Sequence, residues 1–150
     1  VHDIDLARFF SGSEVKRVLA AYASNARFPQ YADFCDNGMT LFEMCDGSSA
    51  TVAVNWLTPD MYRAHGDVRF CLTGTKGFIE ISTVGQTVRV YTDTEPEHFA
   101  ELQACPLSCE EDALNKMADW DYRSVITTAD SIHATRAALL AQQAADQAGK

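Results

Sequence analysis

The sequence predicts an α+β fold: one open, mostly antiparallel sheet of about six strands, with helices on one face. Three observations carry this. The middle of the chain is a series of short apolar–polar alternations separated by turn signals such as Asn37-Gly38, Asp46-Gly47 and Gly74-Thr75-Lys76-Gly77. Both ends carry helical patterns instead. The connections between strand runs are short, which pairs neighbours antiparallel.

Taken in order, His2 to Phe10 reads as a short helix with Ile4, Leu6, Phe9 and Phe10 on its apolar side, ended by Ser11-Gly12-Ser13. Glu14 to Ser24 is rich enough in β-branched residues to be a strand. Ala32 to Asp36 and Met39 to Cys45 read as a hairpin about Asn37-Gly38, a pair suited to the positive φ angles of a type I′ turn. A turn at Asp46-Gly47 leads into a strand from Ser49 to Leu57, with Val52, Val54 and Trp56 on one face and Thr51, Ala53 and Asn55 on the other. Thr58-Pro59-Asp60 breaks it. Strands follow at Asp67–Thr73, Phe78–Ser82 and Thr87–Thr92, then an irregular stretch. Ser108-Cys109-Glu110-Glu111 is a capping box that starts a helix running to about Trp120. Thr127 or Thr128 caps a long Ala-rich helix from Ala129 to Ala148, closed by Gly149. Strand residues on both faces are apolar, yet helices cover only one. The other face is therefore expected to meet a partner, which points to a homo-oligomer through the sheet.

The length of 150 residues suits a single domain spanning 1–150, with enough chain to bury a core. A net charge of −9 opposes binding to nucleic-acid backbones and anionic membranes. No apolar run approaches the length of a membrane span. The five cysteines, Cys35, Cys45, Cys71, Cys105 and Cys109, are odd in number and lack C-x-x-C spacing, so neither a disulfide framework nor a metal site is expected. Cys35, Cys45 and Cys71 lie in or beside apolar runs and are expected to be small buried hydrophobes. Free thiols suit a reducing, cytoplasmic setting.

Several residues could carry chemistry. The imidazole of His2 could exchange a proton with a substrate hydroxyl near neutral pH, or His2 could simply start a helix. Tyr62, Arg63 and His65 form a polar loop that could grip a polyol by hydrogen bonds, or be an ordinary solvated connection. Trp56 could stack on a sugar ring or belong to the core. Asp3 and Asp5 complement a helix N-terminus, and that suffices to account for both. Gly74-Thr75-Lys76-Gly77 is no phosphate loop, since strand-like residues follow it, and no G-x-G-x-x-G occurs.

His2-Asp3-Ile4-Asp5, the hairpin Gly74-Thr75-Lys76-Gly77-Phe78-Ile79, and the ending Ala145-Asp146-Gln147-Ala148-Gly149-Lys150 occur in an order that resembles the C-terminal domain of the Gfo/Idh/MocA oxidoreductases. The resemblance covers almost the whole chain. It implies that the chain is the substrate-binding and oligomerisation half of an NAD(P)-dependent enzyme acting on a hydroxyl-bearing carbon of a sugar, polyol or related compound. It implies that His2 is the catalytic His, while the family's catalytic Lys and Asp, and the Rossmann domain that holds NAD or NADP, lie outside this sequence. No cofactor-binding residue is then expected here, and this chain alone should be inactive. Cys105 to Cys109 matches no family pattern. The alternative is a stand-alone, non-catalytic ligand-binding or scaffold module.

Overall fold

A computed structural model of the chain describes residues 1–148. The expected closing Gly149, and Gly149-Lys150 of the family-like ending, lie outside the described residues. The elements run α1 (His2–Ser11), β1 (Val15–Ser24), β2 (Asn37–Met44), β3 (Ser49–Asn55), β4 (Arg69–Gly74), β5 (Gly77–Ser82), β6 (Thr87–Thr92), β7 (His98–Phe99), α2 (Cys109–Ala118) and α3 (Thr128–Ala148). The α+β class and antiparallel pairing are those the pattern predicts. The strands, however, form two sheets, β1-β2-β3 and β4-β5-β6-β7. The polar segment broken by Pro59 separates β3 from β4, and the two-residue β7 is an addition. The chain divides accordingly into two compact units: Val1–Leu57 with the chain from Arg123 onward, and Thr58–Tyr122.

In the first unit, α1 and α3 join the three-stranded sheet. Alternation along the strands sends Val18, Phe42 and Ala50 to one face, where they stand opposite one another in the ladder. Phe42 and Met44 are fully buried there with Ile4 of α1 and Ala137 and Ala141 of α3, and Val15, Val52 and Ala138 pack around them. The alanines let α3 approach closely. Burial of a Phe side chain such as this contributes roughly 2–3 kcal/mol. α1 ends at Gly12, whose φ of 62° is the left-handed conformation common just past a helix. At the start of α3 the Thr127 hydroxyl accepts from the Asp130 amide, and the Asp130 carboxylate accepts in return from the Thr127 amide.

Asn37-Gly38 is not a turn. Both residues open β2, where Asn37 pairs with Ser24 and Asn55, and Gly38 with Ala23 and Val54. The dipeptide preference is local, and ladder pairing on both sides overrides it. The residues expected as a preceding strand, 32–36, instead belong to a long connection from β1 to β2. The Asp46-Gly47 turn forms as expected, with Gly47 at φ 88°.

In the second unit, Phe70, Leu72, Ile79, Ile81, Val88 and Val90 share one face of the sheet and are half-buried. The other face is mixed. Phe78 and Tyr91 stack there with ring centres 4.1 Å apart, and the Arg89 guanidinium lies 5.0 Å over the Phe99 ring. The Gly74–Gly77 hairpin demands glycine at its end: Gly77 has φ 147°, and a Cβ there would stand 2.0 Å from the Tyr91 carbonyl oxygen. The predicted capping box opens α2, with the Ser108 hydroxyl and Glu111 carboxylate satisfying each other's backbone amides.

The cysteines depart from expectation. All five are exposed thiols. Cys71 alternates with the half-buried Phe70 and Leu72 and so faces the mixed side of its sheet. Cys35 lies in the β1–β2 connection, and Cys45 follows the last strand residue, Met44.

Candidate functional site

His2 is the first residue of α1 and is exposed. Its helix is held by a buried arginine six residues on. Arg8 is only 6% exposed, and every arm of its guanidinium is engaged. Nη1 donates to Asp5 Oδ1 at 2.6 Å and to the Asp130 carbonyl at 3.1 Å. Nε and Nη2 grip the Glu14 carboxylate in a two-pronged contact at 2.8 and 2.6 Å. Bidentate geometry of this kind fixes orientation as well as charge. The Arg8 guanidinium, above all by its hydrogen bonds, pulls the Glu14 carboxyl down to about 2, and the same contact raises Arg8 further above its ordinary value. His133 of α3 places Nδ1 3.2 Å from Glu14 Oε1. The network ties α1 to the start of β1 and to α3. Asp5, read from sequence as a dipole complement, also serves as one of its carboxylates.

The connection from β1 to β2 builds a second feature. Its ends are closed by Asp36, which is 1% exposed. The Asp36 carboxylate accepts from the amides of Ala26 at 2.9 Å and Arg27 at 2.6 Å, which hold its pKa below the usual value, the Ala26 contact first. Its carbonyl accepts from the amide of Trp56 at 2.8 Å. Asn25 closes the loop from inside: its amide nitrogen donates to the carbonyls of Phe28 and Tyr31, and its oxygen accepts from the Phe28 amide. The loop so held, with Trp56, walls a cavity of about 780 Å³ lined by Phe28, Gln30, Tyr31, Asp33, Phe34 and Trp56, together with Ala32. Phe28 and Phe34 meet edge to face, 5.9 Å between centres.

The remaining sequence candidates belong to the second unit. Tyr62 and Arg63 are exposed, and one Arg63 arm donates to the Val84 carbonyl at 3.1 Å, fastening the 58–67 segment to the β5–β6 turn. Asp67 pairs with Arg69 at 2.6 Å. That contact is the main reason the Asp67 carboxyl sits below its ordinary pKa, with the Tyr62 hydroxyl and Arg63 adding to it. Tyr62, Arg63 and Asp67 therefore share one polar cluster. His65 is exposed in the same segment. His2 and Trp56 lie in the first unit, and Tyr62, Arg63 and His65 in the second.

Sequence reasoning missed Arg8 and six cavity residues, Phe28, Gln30, Tyr31, Ala32, Asp33 and Phe34. A run of three aromatics within seven residues, ahead of a strand and with Trp56 at the next strand's end, was the available signal.

No cradle for a nucleotide phosphate is built by Gly74–Gly77, which is a strand-to-strand hairpin with no helix behind it. Among the described residues, no group of three or more His, Cys, Asp or Glu side chains is placed to hold a metal ion. No helix among them is long and apolar enough to cross a membrane.

The chain is an α+β unit that opens on a His-bearing helix and continues as antiparallel strands. Residues 1–80 match the GFO/IDH/MocA C-terminal domain, and the chain belongs to that family. Among solved structures it is similar to a protein of Thermotoga maritima provisionally described as an oxidoreductase, at 21% identity and a TM-score of 0.84, covering 97% of this chain and 42% of that one. It is similar to a protein of Erwinia carotovora atroseptica described in the same way, at 26% identity and a TM-score of 0.83, covering 96% and 45%. It is also similar to myo-inositol 2-dehydrogenase from Lactobacillus plantarum, at 27% identity and a TM-score of 0.64, covering 98% and 44%. The chain thus spans less than half the length of these structures. A search of curated proteins found no match.

Proposed function

We propose that this chain is the substrate-binding and oligomerisation half of an NAD(P)-dependent oxidoreductase acting on a hydroxyl-bearing carbon of a sugar, polyol or related compound. The observation that carries the reading is the family match over residues 1–80, with His2 exposed at the first turn of the helix that Arg8 anchors. The solved relatives include myo-inositol 2-dehydrogenase and an aldose-aldose oxidoreductase complexed with glycerol, which supports the substrate class. On this reading the nicotinamide cofactor is bound mainly by a Rossmann domain of the parent protein. That cofactor supplies the hydride chemistry. This chain supplies His2, whose imidazole takes or returns the proton of the reacting hydroxyl. Trp56, in the same unit as His2, offers its indole face to the ring. Such an enzyme works in the cytoplasm, where NAD(P) is at hand.

Assembly is part of the reading. The face of the β1–β3 sheet away from the helices exposes Tyr22, Met39 and Ala53, aligned across the three strands. Val52 packs instead against the helix-covered core. The contact between copies therefore uses the set containing Thr51 and Ala53, not the set containing Val52 and Val54. A stable contact of this kind buries more than about 1,000 Å².

The test is His2→Gln in the full-length protein. A proton-transfer role predicts a fall in kcat of about 10² to 10⁴ with the fold intact. Unchanged turnover would remove His2 from the mechanism. Tight NAD(P) binding by the 150-residue chain itself, measured calorimetrically, would overturn the division of labour.

A further inference from the structure

We propose that the cleft formed by Phe28, Tyr31, Phe34 and Trp56 is a specificity site that binds an uncharged ring, a pyranose or cyclitol, by its flat apolar face and excludes phosphorylated forms of the same ring. The ligand class rests on the reading above; the site and its charge preference rest on the residues.

The cleft has the dimensions of a small-molecule site, about 780 Å³ against the roughly 300–1,000 Å³ usual for such pockets. Three of its four aromatics are held in the open: Trp56 is 64% exposed, Tyr31 61% and Phe34 38%, while Phe28 is half-buried behind them, on a surface where isolated exposed rings are common but three gathered together are not. The backbone behind them is built to stay. Asp36 and Asn25 fix the loop through five hydrogen bonds from or to their side chains, so little ordering remains to be done on binding.

The polar groups narrow the occupant. Gln30 offers a carbonyl and an NH₂, and Asp33 offers carboxylate acceptors. A ring with an apolar C–H face and hydroxyls around its edge meets both kinds of wall at once. Asp33 is the one Asp, Glu, Lys, Arg or His in the lining, and it is an acid. A phosphate would therefore meet repulsion and find no lysine or arginine among the lining residues. Arg27 lies nearby, with its guanidinium carbon 5.8 Å from the centre of the Phe28 ring, but is not among those residues. A quaternary ammonium is the rival occupant of an aromatic site with one acid. It leaves the amide of Gln30 unused.

The experiment is a titration of the ¹⁵N-labelled 150-residue chain with methyl β-D-glucopyranoside, myo-inositol, glucose 6-phosphate and choline, read by amide and indole shifts. Saturable shifts confined to 28–34 and Trp56, at millimolar neutral ring and at least tenfold weaker with glucose 6-phosphate, are expected. Trp56→Ala should weaken binding at least tenfold, with the remaining spectrum certifying the fold. Asp33→Asn should narrow the gap between glucoside and phosphate. Trp120→Phe should change nothing. Equal or tighter binding of choline or glucose 6-phosphate, shifts centred elsewhere, or no shift with either neutral ring would overturn the proposal. This readout uses neither cofactor nor turnover. A silent cleft with a dead His2→Gln enzyme removes the site alone, and a binding cleft with an active His2→Gln enzyme removes the catalytic reading alone.

Discussion

The two units of the chain are held together in different ways. The first has a dry centre, where Phe42 and Met44 are fully buried between a sheet and two helices. The second has no fully buried apolar side chain among its described residues; its only buried residue is Asp112, which accepts from the Tyr122 hydroxyl at 3.0 Å. Its sheet is organised by pairs across strands: the Phe78–Tyr91 stack, the Arg89–Phe99 contact, and Arg89 between Glu80 and Glu97. Packing in the first unit is a volume problem, whereas in the second it is a matter of neighbours and turns.

The sharpest break in that contrast is Phe42→Ala. A fully buried ring flanked by Val18 and Ala50 leaves a cavity, and the loss should be about 3–5 kcal/mol by denaturant titration. Hydrogen exchange should register it in β1, β2 and β3. If the cost were below about 1 kcal/mol, the buried centre would not be what holds the first unit.

Gly77→Ala tests the second unit in its own terms. The new Cβ cannot share space with the Tyr91 carbonyl, so β5 must pull away from β6. The expected cost is about 2–3 kcal/mol, within the range for backbone strain. A variant as stable as the parent would mean that this hairpin is loose. By contrast Gly12 has open space about its Cβ position, and only its φ opposes substitution.

A smaller effect separates the units by pH. Glu14 has a folded pKa of about 2, below its ordinary 4.5, because Arg8 binds the charged form. A depressed carboxylate pKa adds stability that is complete above about pH 4.5 and is lost as pH falls toward 2. Arg8→Met should flatten that acid arm and lower stability at pH 7 by about 2 kcal/mol, below the full cost of breaking a buried pair because the partner carboxylates are half exposed. An unchanged acid arm would assign it to other carboxylates.

Much of this was legible in the sequence wherever structure is local. The α1 helix with its Gly12 stop, the Ser108–Glu111 capping box and the Gly77 hairpin all follow from signals a few residues long. What escaped depends on distant partners. Asn37-Gly38 has turn chemistry, yet both residues are claimed by ladders to β1 and β3. The cysteines were placed by the apolarity of their neighbours, although period-two alternation turned Cys71 outward. Arg8 carries no local signal, because its burial depends on Asp130, 122 residues away. The site divided in the same manner. His2 and Trp56 could be named by residue type, but the cleft around Trp56 came into view only once residues 32–36 ceased to be a strand.

Asp36 and Asn25 grip backbone atoms, not the side chains between them. The segment they enclose behaves as a cassette. Residues 28 to 34 can be rewritten, in nature or at the bench, while the clasp at each end keeps its shape. Grafting the same stretch from a relative with other ring substituents would then change what the cleft accepts without disturbing the helix that carries His2.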